Sequence, residues 1–265
     1  MITRTARRWL GAFTFLVCLC AVAPVLVIVI ESLTSANYVA FPPPGLSFKW
    51  YGETLKRPEF IDSMFVSLAV ALATSIVSTA LGTLTGIALV RYSFRGRGLL
   101  QSLFSMPLSL PGLIFGLALL QFVTLRNLPV NGWTLLVAHI IITMPFAIRF
   151  VSVALLGVNA NVELAARSLG ANPWAAFRHV TFPLVRPGMV ASLVFAFILS
   201  FDEVAASLFV STPDAMTLPV RIYVYIDQNY DPLITAISSV LVFAAVIALV
   251  IIERTMGMGK LFGLR

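Results

Sequence analysis

Two adjacent acids, Asp202 and Glu203, interrupt a stretch that is otherwise free of charge from Pro187 to Val210. A carboxylate at the centre of a lipid-spanning helix costs about 3 kcal/mol on insertion scales and persists where it faces protein or water, so the default reading of such a pair is functional. With a helix entering near Gly188, the acids lie about 21 Å along it, slightly past the middle of a bilayer. Neighbouring helical positions differ by about 100°, so the two cannot share a face. Glu203 continues a row of Ser192, Ala196, Ser200 and Ser207, whereas Asp202 falls with Phe195, Leu199 and Phe209. Glu203 is therefore expected to face a polar passage, with Ser200 and Phe201 beside it. Asp202 either joins the passage next to aromatic rings or pairs at a helix interface. For both acids the alternative is a buried structural pair with arginine or backbone partners.

A second segment, Val158–Arg186, is built like a docking device. Asn161 is a candidate cap, Glu163 falls in the first turn where the helix dipole favours an anion, and Gly170 suits the left-handed residue that ends a helix. Asn172-Pro173 restarts a helix by the cap-then-proline rule, and Phe182-Pro183 is expected to stop it. The spacing puts Val162, Ala165, Ala166 and Leu169 on one face, kept flat by the two alanines so that another protein can approach closely. An amphipathic loop on a membrane surface is the alternative.

The remaining reactive residue types are sparse. His139 and His179 lack the neighbours of a metal or catalytic site and read as structural, so no catalytic residue and no metal ligand is expected. Cys18 and Cys20, two apart, point away from each other on a helix and cannot bridge. A phosphate cradle Gly-x-x-x-x-Gly-Lys-Ser/Thr is missing; Gly257-Met258-Gly259-Lys260 lacks the spacing and the hydroxyl.

The elements that must carry these residues follow from composition. With 59% hydrophobic and 11% charged residues, the chain has lipid as its main solvent, which excludes a soluble domain. Stretches without charge run Trp9–Ile30, Ser63–Val90, Gly98–Leu125 and Pro232–Ile252; two more tolerate Arg149 or the acid pair. Six membrane-spanning helices result, at about 9–31, 63–90, 99–125, 133–157, 187–210 and 232–252, in one domain over 1–265, with the segment 158–186 on the inner side. The basic start and Ala21-Val22-Ala23 imitate a signal peptide, but the apolar stretch is too long, and an uncleaved first helix is expected. Of the 18 basic residues, 13 fall on the side of the termini, among them Arg4, Lys260 and Arg265; only Lys49, Lys56, Arg57, Arg126 and Arg221 fall on the other. That bias puts both termini inside, and it explains the net charge of +7 without nucleic acid. Acids run the other way, with Glu163 and Glu253 inside. Arg149 is close enough to the inner surface to snorkel. Pro107, Pro111 and Gly112 break or bend the third helix, which marks either a pathway or a simple kink. In the outer loop 32–62, Phe41-Pro42-Pro43-Pro44-Gly45 suits a stiff extended stretch, with Trp50 and Tyr51 at interface depth.

The inner segment resembles the motif of permeases of ATP-binding-cassette (ABC) importers. Ala165-Ala166 precede Gly170 at the family spacing, and Val180-Thr181-Phe182-Pro183 closes the pattern; the glutamate is Glu163, with Leu164 in the strict glutamate position. Ser200-Phe201-Asp202-Glu203-Val204, Thr217-Leu218-Pro219-Val220-Arg221-Ile222-Tyr223 and Ser105-Met106-Pro107-Leu108-Ser109-Leu110-Pro111-Gly112 resemble the spermidine/putrescine importer permeases. The resemblance covers most of the chain from the second helix onward. It implies an all-α, six-helix, type I importer permease of the bacterial inner membrane, with five helices gripping a pore and the first wrapped around a partner. It also implies a second permease in a heterodimer, two ATPase subunits and a periplasmic binding protein. Glu163, Ala165, Ala166, Gly170 and Pro183 would then couple the chain to the ATPase, which alone would hold ATP and Mg. The chain itself would be a non-catalytic subunit without a cofactor. Asp202 and Glu203 favour a cation such as a polyamine, with an opine, an amino-acid derivative or a phosphonate as alternative cargo. A secondary transporter would show inverted repeats and more spans. An intramembrane enzyme would need a nucleophile with a base, or a metal cluster, within the spans.

Overall fold

The structure, a computed structural model, describes residues 4–157 and 160–256. Val158, Gly257-Met258-Gly259-Lys260 and Arg265 lie outside the described residues, as do the side chains of Arg4 and Glu253. In chain order the helices are α1 (Arg4–Glu31), α2 (Lys49–Leu55), α3 (Pro58–Arg91), α4 (Arg97–Ser105), α5 (Gly112–Leu125), α6 (Gly132–Leu156), α7 (Ala160–Ser168), α8 (Pro173–Ala176), α9 (Phe182–Phe201), α10 (Ser207–Val210), α11 (Leu218–Gln228) and α12 (Leu233–Met256). A 3-10 turn, Met106–Ser109, follows α4, and a π turn, Phe177–Thr181, joins α8 to α9. Among the described residues β pairing is limited to isolated bridges, Thr34 with Leu46 and Thr212 with Ala215.

Five rods are long and apolar enough to cross a bilayer: Ala6–Glu31, Pro58–Arg91, Gly132–Leu156, Pro173–Phe201 and Leu233–Ile251. The sixth is a bent pair, Arg97–Ser109 with Gly112–Leu125, turned through 110°. Leu110 and Pro111 are both extended there, with ψ of 132° and 133°. A residue before proline is pushed out of the helical region, so Leu110 cannot continue the turn that Pro107 opens. The break expected around Pro107, Pro111 and Gly112 is thus present.

Two other expectations need correction. Phe182-Pro183 does not stop a helix: the chain passes through the π turn into α9, and Pro173–Phe201 is one rod of 29 residues. Proline removes an N–H and crowds the carbonyl four residues back, and the wider i→i+5 turn just before it takes up that mismatch. At its other end the rod stops at Phe201 rather than near Val210.

The chain forms two compact units, one of Met1–Ile61 with Val224–Arg265 and one of Asp62–Tyr223. In the first, α12 packs with α1 and α2. Tyr51 of α2 shares its hydroxyl with Ser32 at 2.7 Å and with Ser239 of α12 at 3.0 Å. The outer loop folds on itself. Ser35 N–H donates to the Gly45 carbonyl, Ala40 N–H to Glu31 Oε1 and the Trp50 indole to the Ala36 carbonyl. Trp50 is therefore buried under its own loop, and the chain bends through Phe41–Gly45 instead of running straight. Cys18 and Cys20 are free and exposed on α1.

In the second unit α3, α6 and α9 form the scaffold. Lipid tails supply no hydrophobic drive between helices, so close backbone approach and interhelical hydrogen bonds must hold them. Both are present. A Cβ on Gly82 would lie 2.6 Å from that of Ala147, and one on Gly188 the same distance from that of Ala154. Ser78 bonds Thr143 at 2.6 Å, and Thr79 bonds Ser192 at 2.8 Å. Phe195 of α9 packs against Phe146 and Phe150 of α6. Arg149 is exposed on α6, away from this packing.

Candidate functional site: an acid-bearing break and an inner elbow

Asp202 occupies the C-cap of α9, and the chain stays out of helix until Ser207 starts α10. The predicted continuous fifth helix is thus interrupted at its two acids. One cause is local: Glu203 Oε1 accepts the backbone N–H of Ala206 at 2.7 Å, offering the backbone an alternative to the helical bond. The other is packing. A Cβ on Gly116 of α5 would come within 2.6 Å of the Ala206 Cα and 2.8 Å of its carbonyl oxygen, so α5 lies directly against the unwound chain.

The break in the third span faces the break in the fifth. A Cβ at Gly112, the first residue of α5, would be 2.9 Å from the Ala205 Cβ and 3.9 Å from Glu203 Oε1. Pro111 gives that helix no side-chain cap, so its first N–H groups form a positive end beside the carboxylate. Among the described residues no hydrogen bond reaches Glu203 Oε2 or the exposed carboxylate of Asp202, and none reaches the carbonyls of Phe201, Asp202 or Glu203.

The serines of the expected row meet other helices, Ser192 at Thr79 of α3 and Ser200 at His139 of α6. Ser192, Ala196, Ser200 and Ser207 are all buried. Glu203 leaves that row, because the interruption turns its side chain back toward Ala206. Ser200 is bound to His139 at 2.7 Å, and Phe201 stacks on Phe197 at 6.0 Å between ring centres. His139 carries more than its isolation in the sequence suggests, since its other nitrogen reaches Ser207 at 2.8 Å. The pair Gly112/Gly116, with small-x-x-x-small spacing, is the sequence signal that could have disclosed the contact between the breaks.

The inner segment is a helix, an elbow and a second helix; the elbow is as expected, while the second helix runs on into α9. Gly170 has φ of 95°, and the N–H of Ala171 bonds the Ala166 carbonyl while that of Gly170 bonds the Arg167 carbonyl, closing the end of α7. Asn172 caps α8 by accepting the Ala175 N–H at 2.8 Å, with Pro173 first in the helix. Asn161 is not the cap of α7: the helix already includes Ala160, so the cap lies outside the described residues. Glu163 lies in the first turn and accepts from the Thr181 hydroxyl at 3.0 Å, a partner the sequence did not announce. Val162, Ala165 and Leu169 are exposed and Ala166 half-buried, with Leu169 90% exposed and Trp174 67%. Pro183 is exposed in the first turn of α9. Among the described residues the His179 ring bonds only the Ala175 carbonyl, four residues back.

Residues 78–257, which include both the elbow and the acid-bearing break, match the family described as binding-protein-dependent transport system inner membrane component. The chain belongs to this family. The permease is 27% identical over 227 residues to the spermidine/putrescine transport system permease protein PotC of Escherichia coli K12, covering 86% of each chain. It is 32% identical over 241 residues to the putrescine transport system permease protein PotI of the same strain, covering 88% of this chain and 83% of that one. A Salmonella paratyphi A permease named for 2-aminoethylphosphonate transport is 30% identical over 233 residues, 87% of each. Among solved structures, a bacterial ABC transporter for import of the acidic polysaccharide alginate superposes with a TM-score of 0.65 over 97% of this chain and 99% of that one, at 18% identity. An alginate transporter in complex with a pentasaccharide-bound periplasmic protein gives 0.71 over 96% and 95%, at 16% identity. Those structural likenesses show the fold, and the family and named relatives make the chain an ABC importer permease subunit, a multi-pass protein of the inner membrane.

Proposed function

We propose that this permease forms half of the pathway for a polyamine such as putrescine or spermidine, with Asp202 and Glu203 as its cation-attracting residues and Ser200 and Phe201 beside them. The observation that carries the reading is the interrupted helix: two carboxylates and the carbonyls of Phe201, Asp202 and Glu203 are gathered where two broken spans meet. Unwound backbone and acids inside a membrane are tolerated where they line a cavity, and both attract ammonium donors. The names of PotC and PotI point to the same solutes.

The inner segment is the candidate docking surface for a separate ATPase, through Glu163, Ala165, Ala166, Gly170 and Pro183. Its support is the exposed apolar face around a rigid elbow. The assembly in this reading is a second permease, two ATPase subunits that hold ATP and Mg, and a periplasmic binding protein. The outward-facing apolar side chains of α1 suit a helix that wraps a partner permease. The chain acts as one transmembrane domain with both termini in the cytoplasm, a reading supported by the bias of basic residues to that side. It performs no hydrolysis itself.

The test is the assembled complex in proteoliposomes with its binding protein. Putrescine or spermidine should stimulate ATP hydrolysis and be taken up. Glu203→Gln, which keeps size but removes charge, should lower uptake far more than it lowers assembly. Equal uptake by parent and Glu203→Gln would return that acid to a purely structural role. Stimulation by 2-aminoethylphosphonate and by neither polyamine would replace the cargo with the second reading, which the 30% identical relative favours.

A further inference from the structure

His139 is the point where α6 reaches across the interruption in the fifth span. Its Nδ1 lies 2.7 Å from the Ser200 hydroxyl, in the last turn of α9, and its Nε2 lies 2.8 Å from the hydroxyl of Ser207, the first residue of α10. Between those two serines the chain leaves the helix and carries both acids. His139, Ser200 and Ser207 are buried, at 1%, 3% and 0% exposure. One planar ring therefore spans the break and sets the separation of its ends. Inside the break, Glu203 Oε1 is held by the Ala206 N–H, so the direction of the carboxylate depends on where α10 begins.

The backbone that carries the ring is tied to α3. Thr143 donates to the His139 carbonyl at 2.8 Å, and Ser78 of α3 reaches Thr143 at 2.6 Å. A neutral imidazole offers one donor and one acceptor at fixed directions, and a serine hydroxyl can complement either. No aliphatic side chain can do this, and its presence would leave two buried hydroxyls unpaired.

We infer that His139 is a positioning residue for solute selection: by clamping Ser200 to Ser207 it fixes the spacing and aim of Asp202 and Glu203. The inference rests on the reading of those acids as part of the passage. Because the ring is buried with both nitrogens on serines, it acts through the acids it positions, and its removal should alter which cation passes best, beyond any loss of assembled protein.

The experiment uses the whole complex in proteoliposomes. Putrescine and spermidine, which differ in length and charge, are taken up under identical conditions, and each rate is normalised to assembled complex. His139→Ala should change the ratio of the two normalised rates by about fivefold, with His139→Gln, which keeps one donor and one acceptor, falling between it and the parent. If His139→Ala does not assemble, Ser207→Ala removes one end of the clamp and should shift the ratio in the same direction. An unchanged ratio in whichever variant assembles would overturn the inference. Its failure is distinguishable from failure of the underlying reading. If Asp202→Asn and Glu203→Gln both transport as the parent does, the acids are not in the passage. If they are impaired while the clamp variants keep the parental ratio, only the role of His139 falls.

Discussion

The hydroxyl of Thr181 donates to the Glu163 carboxylate at 3.0 Å, tying the first turn of α7 to the base of α9. The far end of α9 is Phe201, next to the acids, and at 1.5 Å per residue its 20 residues span about 30 Å. The contact with Glu163 and the acid-bearing break thus stand at opposite ends of α9.

Thr181→Val tests that link, because it keeps the shape, removes the donor and leaves the carboxylate without its partner. It should cost about 1 kcal/mol locally and lower the uptake obtained per ATP hydrolysed, with Thr181→Ser restoring both. Measuring uptake and hydrolysis in the same proteoliposomes checks this. An unaltered ratio would show that force does not travel through the bond.

Gly170 is strained for other residues by its φ of 95°, although nothing lies within 4 Å of a Cβ placed there. Gly170→Asn, which tolerates the left-handed region, should be mild, and Gly170→Val should lose about 1–2 kcal/mol at the elbow. With open space around it, the defect should appear in co-purification of the ATPase while insertion in the membrane stays normal. Equal recovery of ATPase with both variants would remove the elbow from the docking surface.

What could be read in the sequence divides by the range of the cause. The elbow was legible because Gly170, Asn172 and Pro173 act on their own backbone within a few residues. The six apolar stretches were legible because lipid imposes their length. Where the fifth helix ends was not, since Asp202 and Glu203 fit a helical face well enough. What unwinds the chain includes α5, through a contact of Gly116 with Ala206 that lies far away in sequence. The π turn was hidden for a related reason: Phe182-Pro183 signals a stop in an isolated chain, but the long rod it belongs to overrides the local preference. The burial of Trp50 was hidden because its partner, the Ala36 carbonyl, depends on how the loop folds back.

Tyr225 gives a prediction in pH. Burial first, and then its 2.7 Å hydrogen bond to Asp231, push the phenol up to about 12. The fold favours the neutral phenol, so the unfolded chain loses its proton first, near the ordinary value of about 10. The stabilisation should be complete below about pH 10 and fade as pH rises through 12. Thermal unfolding of the detergent-purified complex should show parent and Tyr225→Phe converging across that window. A constant gap between them would place the stabilisation elsewhere.

The last prediction separates two glycines on α5. At Gly116 a methyl group would meet the Ala206 backbone, its Cα at 2.6 Å and its carbonyl oxygen at 2.8 Å, and backbone in a packed break has little room to yield. At Gly112 the nearest atom is the side-chain Cβ of Ala205 at 2.9 Å. Gly116→Ala should therefore force α5 away from the break, at about 1–3 kcal/mol for overpacking, and displace the turn that carries Asp202 and Glu203. Gly112→Ala should be the milder change, because its one close contact is a single Cβ at 2.9 Å that a small shift of the Ala205 backbone relieves, whereas Gly116 meets two backbone atoms of Ala206 at once. Neither substitution touches α7, so both variants should retain the ATPase on purification. Uptake per assembled complex should fall in the order parent, Gly112→Ala, Gly116→Ala. A reversed order would mean that the start of α5, beside Glu203, is the tighter constraint, and the account of why the fifth helix unwinds would then have to begin from Gly112.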